Sequence, residues 1–443
     1  MPEQDQQQLI ALAQDVVQRA TALGASGARA SASRGREVEL RLRDGQIEKL
    51  QDAQSRSVSV ELYVDGRYSS HSTADLSPRG LDAFLREAVA LTRALVADPH
   101  RRLPDATLRG VPSDLPLRLA DPALQGDFDK GAAEALLRVA DARLRAEPKV
   151  ISATSTYSQS SGAWALATSD GFAGSEAHTA AWMGAELTLQ DEGDARPEGG
   201  DWRGGRRAAD LPEPEALAKE AVRRARQRLG AKKGPSQRTQ VIVEPQVAGS
   251  LIGHLLRPAT GAAVQQGRSF LAGKVGQRLF SPQLTLIDDP LLPQGLGSHR
   301  FDGEGLAAAR LPIIEGGVLR NLYVDTYYGS KAGLRPTTGG PSNRRFALGR
   351  GDLAQHIAQA RSALLITGWL GGNSDANTGD FSLGCRGHLV RDGELGPPIG
   401  EMNVTGNLVR LFAQLSALGD DPYAYSATQT PTLVFEDVQI SGA

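Results

Sequence analysis

The sequence predicts an α+β fold with three sections. These are an N-terminal helix and antiparallel-sheet domain over 1–100, a middle α+β section with linkers over 101–236, and a large, mainly antiparallel β-rich domain over 237–443. Three observations lead there. Glycine (50) and proline (24) are too abundant for a helical bundle and suit a chain with many turns. Apolar residues alternate with polar ones in several stretches that end at Asp-Gly pairs, the signature of hairpins. Between them lie a few segments whose apolar residues recur every three or four positions, as on one helix face.

In the first section Leu9, Leu12, Val16, Val17, Ala20 and Leu23 share such a face, and Gly24 stops it. The stretches 37–43 and 55–64 alternate strictly and run into Asp44-Gly45 and Asp65-Gly66. A second helix spans 79–95, and helices are expected against one face of the sheet. Residues 101–125 are rich in Pro and Asp and read as linker. The middle section offers a helix over 130–147, strands over 150–157, 164–168 and 180–189, a mobile loop over 191–205, and a charged helix over 213–229. The last section opens with a strand over 239–244 and a helix from Pro245 to Arg257. Short strands follow over 283–288, 312–314, 318–324, 363–370 and 380–391, then a helix over 406–418 and a strand over 432–440.

Composition excludes several functions. The 49 basic and 51 acidic residues give a formal charge of −2, so no basic footprint points to nucleic acid. The polar N-terminus lacks the order of a signal peptide, and no window approaches the ~20 apolar residues of a membrane helix. A cytoplasmic protein is expected. The single cysteine, Cys385, rules out an intramolecular disulfide and every multi-cysteine metal site. P-loop, nucleophile-elbow and dinucleotide-binding motifs are absent.

None of the seven histidines forms a pair at helical ligand spacing. His254 lies on the helix 245–257, and His388 follows Cys385 by three residues, which on a strand places them on opposite faces. Asp288 and Asp289 could hold a hard cation or do acid–base chemistry. The blander and favoured account has them ending a strand before Pro290 through hydrogen bonds to backbone. Asp302 and Glu304 follow a glycine-rich loop, and the segment 335–345, containing Thr337, Thr338 and Gly339, is rich in donors and glycines that suit an extended backbone or an anion.

Taken in order, Gly267–Gly276, Leu284–Pro290, Phe301–Gly305, Ile314–Leu319, Thr337–Gly339, Asp380–Gly384 and Asn403–Asn407 resemble the TldD/PmbA family, and the N-terminal section resembles that family's first domain. The resemblance implies a two-subunit metallopeptidase acting on unfolded or extended peptides. Its TldD-like subunit carries a His-Glu-x-x-x-His helix and a distant cysteine as zinc ligands, and its TldE-like (PmbA) subunit lacks the helix motif. Here the corresponding helix, Gln246–Arg257, holds His254 alone, without an adjacent glutamate or a second histidine.

The resemblance therefore implies the non-catalytic member. Its zinc is expected in a TldD-like partner and no cofactor in this chain; His254 and Cys385 are only weak metal candidates. Asp288, Asp289, Asp302, Glu304, Thr337, Thr338 and Gly339 are the candidates for handling peptide. Assembly is expected as a heterodimer with a TldD-like subunit or as a homodimer. Two rival readings remain: an independent metal-dependent hydrolase built from His254, Cys385, His388 and the Asp288/Asp289 pair across a dimer, and a β-rich homodimeric binding protein.

Overall fold

The structure is a computed structural model that describes residues 3–110 and 115–442. The chain runs α1 (Glu3–Ala22), β1 (Gly27–Arg43), β2 (Gln46–Val64), β3 (Arg67–Thr73), α2 (Pro78–Arg93), α3 (Lys130–Arg145), β4 (Val150–Thr168), β5 (Ala173–Leu189), β6 (Glu198–Gly205) and α4 (Pro214–Arg226). These strands form one six-stranded antiparallel sheet in the order β3-β2-β1-β4-β5-β6, so strands from the first and middle sections share a single sheet. β1 and β4 pair along fifteen positions, from Arg29↔Thr168 to Arg43↔Thr154. The expected linker 101–125 falls partly on 111–114, outside the described residues.

Alternation assigns the two faces of this sheet. Along β1, Ala28, Ala30, Ala32, Val38, Leu40 and Leu42 are buried. The first of these pack with α1 and α2, and Leu40 and Leu42 pack with α3 and α4. The small Ala side chains let α1 approach closely through Ala13, Val16 and Ala20, all fully buried. Residues of opposite parity, including Arg29, Glu61, Tyr63, Trp164 and Glu176, turn away from the helices toward the C-terminal unit.

That unit continues with β7 (Gln237–Val243), α5 (Pro245–Leu256), α6 (Gly261–Gln265), β8 (Leu286–Asp288), β9 (Leu311–Glu315), β10 (Val318–Leu319), α7 (Thr326–Ala332), β11 (Arg344–Phe346) and α8 (Leu353–Gln359). It closes with β12 (Ser362–Ser374), β13 (Asp380–Arg391), β14 (Glu394–Asn407), α9 (Leu408–Ala413), β15 (Leu415–Leu418), β16 (Thr428–Gln429) and β17 (Leu433–Ser441). A second six-stranded sheet runs β14-β13-β12-β7-β17-β15, and a smaller one runs β10-β9-β8-β11-β16. The largest core lies between them, with α5 supplying Leu251, Ile252, Leu255 and Leu256. The α+β class is as expected, with helices on the N-terminal sheet and strands dominating the C-terminal unit.

Three expectations are corrected. The loop over 191–205 ends in a strand, β6, whose composition hides it because glycines are required there. A Cβ on Gly199 would sit 2.2 Å from the Ala225 backbone nitrogen of α4, and one on Gly204 2.1 Å from the Ala181 carbonyl. The helix over 406–418 is only α9, capped by the Asn407 side chain on the amides of Val409 and Arg410. Its expected last turn is β15, because Leu415 and Leu418 pair with Phe435 and Leu433 of β17. The strand over 318–324 stops at Leu319, after which Tyr323 makes only an isolated bridge to Thr260.

Candidate functional site

The face of the first sheet that carries no helix meets the loops 298–305 and 325–341 of the C-terminal unit around a cleft of about 670 Å³. β1 places Arg29 there, β2 Glu61 and Tyr63, β4 Trp164, and β5 Glu176 and His178; Arg206 enters just after β6. Asp302, Glu304, Thr338 and Gly339 line the opposite wall, so four of the seven expected peptide-handling residues converge.

The loop wall is braced by its own hydrogen bonds. One Asp302 carboxylate oxygen accepts from the amides of Glu304 (2.9 Å) and Leu306 (3.0 Å). The other accepts from the Thr338 hydroxyl and the Gly339 amide, both at 3.4 Å, and so ties the glycine-rich segment to the 301–305 turn. Glu304 accepts from the amide and hydroxyl of Thr326, each at 2.9 Å. Its second oxygen lies 3.6 Å from Arg29, which also pairs with Glu61 at 2.6 Å. Arg29 thus spans strand and loop, while its buried Nη1 has no hydrogen-bond partner. Burial pushes the Glu304 carboxyl above its usual range, against the Thr326 amide and Arg29, which favour the anion.

Deeper in the cleft, burial raises the Glu176 carboxyl to about 7, although it accepts from the Arg300 amide at 2.5 Å and lies near Arg300 and Arg206. Burial and Arg206 lower His178, which favours the neutral imidazole. Near the mouth, the Arg101 guanidinium lies 3.4 Å from the ring centre of Tyr327 and 4.2 Å from that of Tyr68. Fixed cations, carboxyls of differing charge state and aromatic faces can hold a polar, extended chain. Perturbed groups gathered in one cleft also mark it as a functional-site candidate.

The other expected residues lie outside that cleft, although Asp288 and Thr337 line a small cavity of about 60 Å³ that shares Asp302 and Thr338 with it. Asp288 is buried and accepts from the Ser342 amide (3.0 and 2.9 Å), the Ser342 hydroxyl and the Tyr323 hydroxyl (2.9 Å). Asp289 accepts from the Leu291 amide at 3.2 Å and pairs with Arg310 at 3.2 Å. Asp289 makes the local bond to backbone that ends the strand, whereas Asp288 fastens the distant segment around Ser342. Thr337 bridges the Leu322 carbonyl and the Val324 amide.

A zinc site fits these residues poorly. His254 is held at 2.8 Å from the Ser374 hydroxyl. Cys385 is fully buried in the apolar core, and burial pushes its thiol up to about 12, far from the thiolate a metal requires. Among the described residues, no three His, Cys, Asp or Glu side chains are grouped so that they could hold a metal ion. The buried thiol should resist a maleimide or disulfide reagent at pH 8 and react completely once the chain is denatured. Rapid labelling of the folded protein would contradict the burial described for Cys385.

Arg29, Glu176, His178 and Arg206 escaped the sequence reading. The stretch Gly174–His178 places polar residues at alternate positions, but without an expected strand there the shared face could not be seen.

Residues 28–92, 125–229 and 236–442 match the PmbA/TldA metallopeptidase domain 1, central domain and C-terminal domain, respectively. Metalloprotease PmbA of Escherichia coli is 27% identical over 421 residues, spanning 94% of this chain and 92% of that protein. A PmbA homolog of Haemophilus influenzae is 26% identical over 445 residues, spanning 99% and 97%. A solved structure from Bacteroides thetaiotaomicron, described as a candidate modulator of DNA gyrase, superposes with a TM-score of 0.95 at 34% identity over 98% of each chain. TldE from Thermococcus kodakarensis shares the fold, with a TM-score of 0.86 at 19% identity over 97% of this chain and all of that one. The three matched domains, in order and along nearly the whole length, show that this chain belongs to the PmbA/TldD family of metallopeptidase-like proteins.

Proposed function

We propose that this chain is a non-catalytic, peptide-handling subunit of a cytoplasmic TldD/TldE-type peptidase. A TldD-like partner would carry the zinc, and this chain would form part of the chamber that admits unfolded or extended peptide. The observation that carries the reading is the donor set on and around α5: a single histidine and a cysteine sealed in the core, with no three His, Cys, Asp or Glu side chains grouped to hold a metal among the described residues. Catalytic zinc sites take three protein ligands and an open position. The cleft around Arg29, Asp302 and Glu304 supports the peptide-handling half, because guanidinium and carboxyl groups line it and can pair with the carbonyls and amides of an extended backbone. No described helix is long and apolar enough to cross a membrane, which is compatible with a cytoplasmic location.

The test is to purify the chain alone, measure its zinc by mass spectrometry, and assay cleavage of an unfolded protein with and without a TldD-like subunit. Zinc well below one equivalent, no cleavage alone and chelator-sensitive cleavage on mixing are expected. Chelator-sensitive cleavage by the chain alone would overturn the reading in favour of an independent hydrolase. A stable homodimer that neither binds nor assists a TldD-like subunit would favour a binding protein.

A further inference from the structure

A second site lies where the middle section meets the C-terminal sheet, away from the cleft described above. Three cavities of about 780, 440 and 350 Å³ adjoin there, and Arg228 and Arg386 line all three. Arg228 follows the C-terminus of α4, in a turn closed by Gly230 at φ +71°. Arg386 stands on β13 opposite Gly368 of β12. A Cβ at Gly368 would come within 2.5 Å of the Arg386 Nε, so the guanidinium lies directly on the β12 backbone at a place where a larger residue would displace it.

What sets these two arginines apart is the lack of an ion pair among the described residues. Arg223 and Arg224 in the same wall are paired, the first with Glu220 and the second with Glu220 and Glu244. Arg228 donates to the backbone carbonyl of Glu198 and forms no ion pair within 4 Å among the described residues. Arg386 makes neither a hydrogen bond nor an ion pair among the described residues. The nearby Glu198 side chain is exposed and forms no ion pair with either. Burial and the neighbouring Arg386 pull Arg228 down to about 10, and burial lowers Arg386 as well, against the attraction of Glu198. Both keep their charge at neutral pH. Two half-buried guanidinium groups lining the same cavities, with only the exposed Glu198 attracting them, are incompletely compensated, and their forked donors match the oxygens of a carboxylate or phosphate.

We propose that Arg228 and Arg386 form an oxyanion-binding site that takes a carboxylate or phosphate group, supplied either by the C-terminus of a peptide or by a small free anion. The site stands on its own donors and does not depend on the peptidase reading. Neither arginine lines the Arg29 cleft.

Thermal unfolding of the full chain at fixed ionic strength, adjusted with chloride, tests the site. The probes are inorganic phosphate and a short alanine–glycine peptide, as free acid and as C-terminal amide. A saturable rise in Tm is expected with phosphate, with the free-acid peptide or with both, and none with the amide; which probe acts assigns the source. Arg386→Gln and Arg228→Gln should each weaken the response at least about tenfold, as expected for a lost charged hydrogen bond. Without ligand, each variant should melt at or above the wild type, because a like-charge repulsion has been relieved. No saturable rise with any probe, or an undiminished response in both variants, would overturn the proposal. So would a lowered ligand-free Tm with an unchanged response, which would make the arginines purely structural.

Discussion

Phe301→Ala is expected to destabilise the protein by about 3–5 kcal/mol, the range for removing a fully buried aromatic ring from a packed site. Phe301 has no exposed surface, and its ring centre lies 4.9 Å from that of Trp164 and 5.3 Å from that of Phe172. It also fills the space above Gly174, where a Cβ would meet its ring at 2.8 Å. The residue is a wedge by which the 298–305 loop seats on the first sheet, and the Asp302 and Glu304 network begins immediately after it. Denaturant unfolding should show the loss, and Phe301→Leu, which keeps most of the volume, should cost less than about 2 kcal/mol. A cost below about 1 kcal/mol for the alanine variant would mean that the loop is held by its hydrogen bonds rather than by this ring.

The seating of that loop also explains which parts of the site were legible in the sequence. Asp302, Glu304, Thr338 and Gly339 stand in short loops with dense polar and glycine content, so local chemistry alone marks them. Arg29, Glu176 and His178 do not stand out, because their place in the cleft comes from register. Arg29 faces Glu304 only because Ala28 and Ala30 commit the opposite parity to α1 and α2. The fold follows the same division. Strands with Asp-Gly turns declare themselves: β1, β2 and β3 meet at Asp44-Gly45 and Asp65-Gly66, whose residues all have positive φ. Strands made by tertiary pairing do not. The central stretch Ser158–Gly162 of β4 is polar enough to read as a turn, yet it pairs on both sides, with β1 through Gly35↔Gly162 and with β5 through Gly162↔His178. Helix α5 shows both limits: its periodicity is plain, but only the core shows that Cys385 is packed among apolar side chains rather than presented to a metal.

Glu176 gives the second large effect, and its sign is unusual for a carboxylate. In the folded chain it titrates at about 7, against an ordinary value of 4.5, because burial disfavours its anion more than Arg300 and Arg206 favour it. Below pH 4.5 the folded and unfolded states both hold the proton. Between 4.5 and about 7 the unfolded chain releases it while the folded chain keeps it, so this group's contribution to stability falls as pH rises through that window and then stays level. The total loss is about 3 kcal/mol at 1.36 kcal/mol per unit. Glu176→Gln retains an oxygen to accept from the Arg300 amide and carries no titratable proton. The variant should therefore match the wild type near pH 4.5 and exceed it by roughly 2–3 kcal/mol at pH 8. Comparing the two proteins at each pH cancels the opposite trend of surface carboxylates such as Asp52 and Asp98, whose partners hold them below their usual range. A wild-type-to-variant difference that does not change with pH would refute the assignment. The functional consequence concerns charge: with Glu176 partly protonated and His178 neutral near pH 7, the cleft floor is less anionic than its residue inventory implies. Arg29 and Arg206 remain as fixed cations there, and Glu176 can both donate to a carbonyl and accept from an amide, which is what pairing with an extended peptide backbone requires.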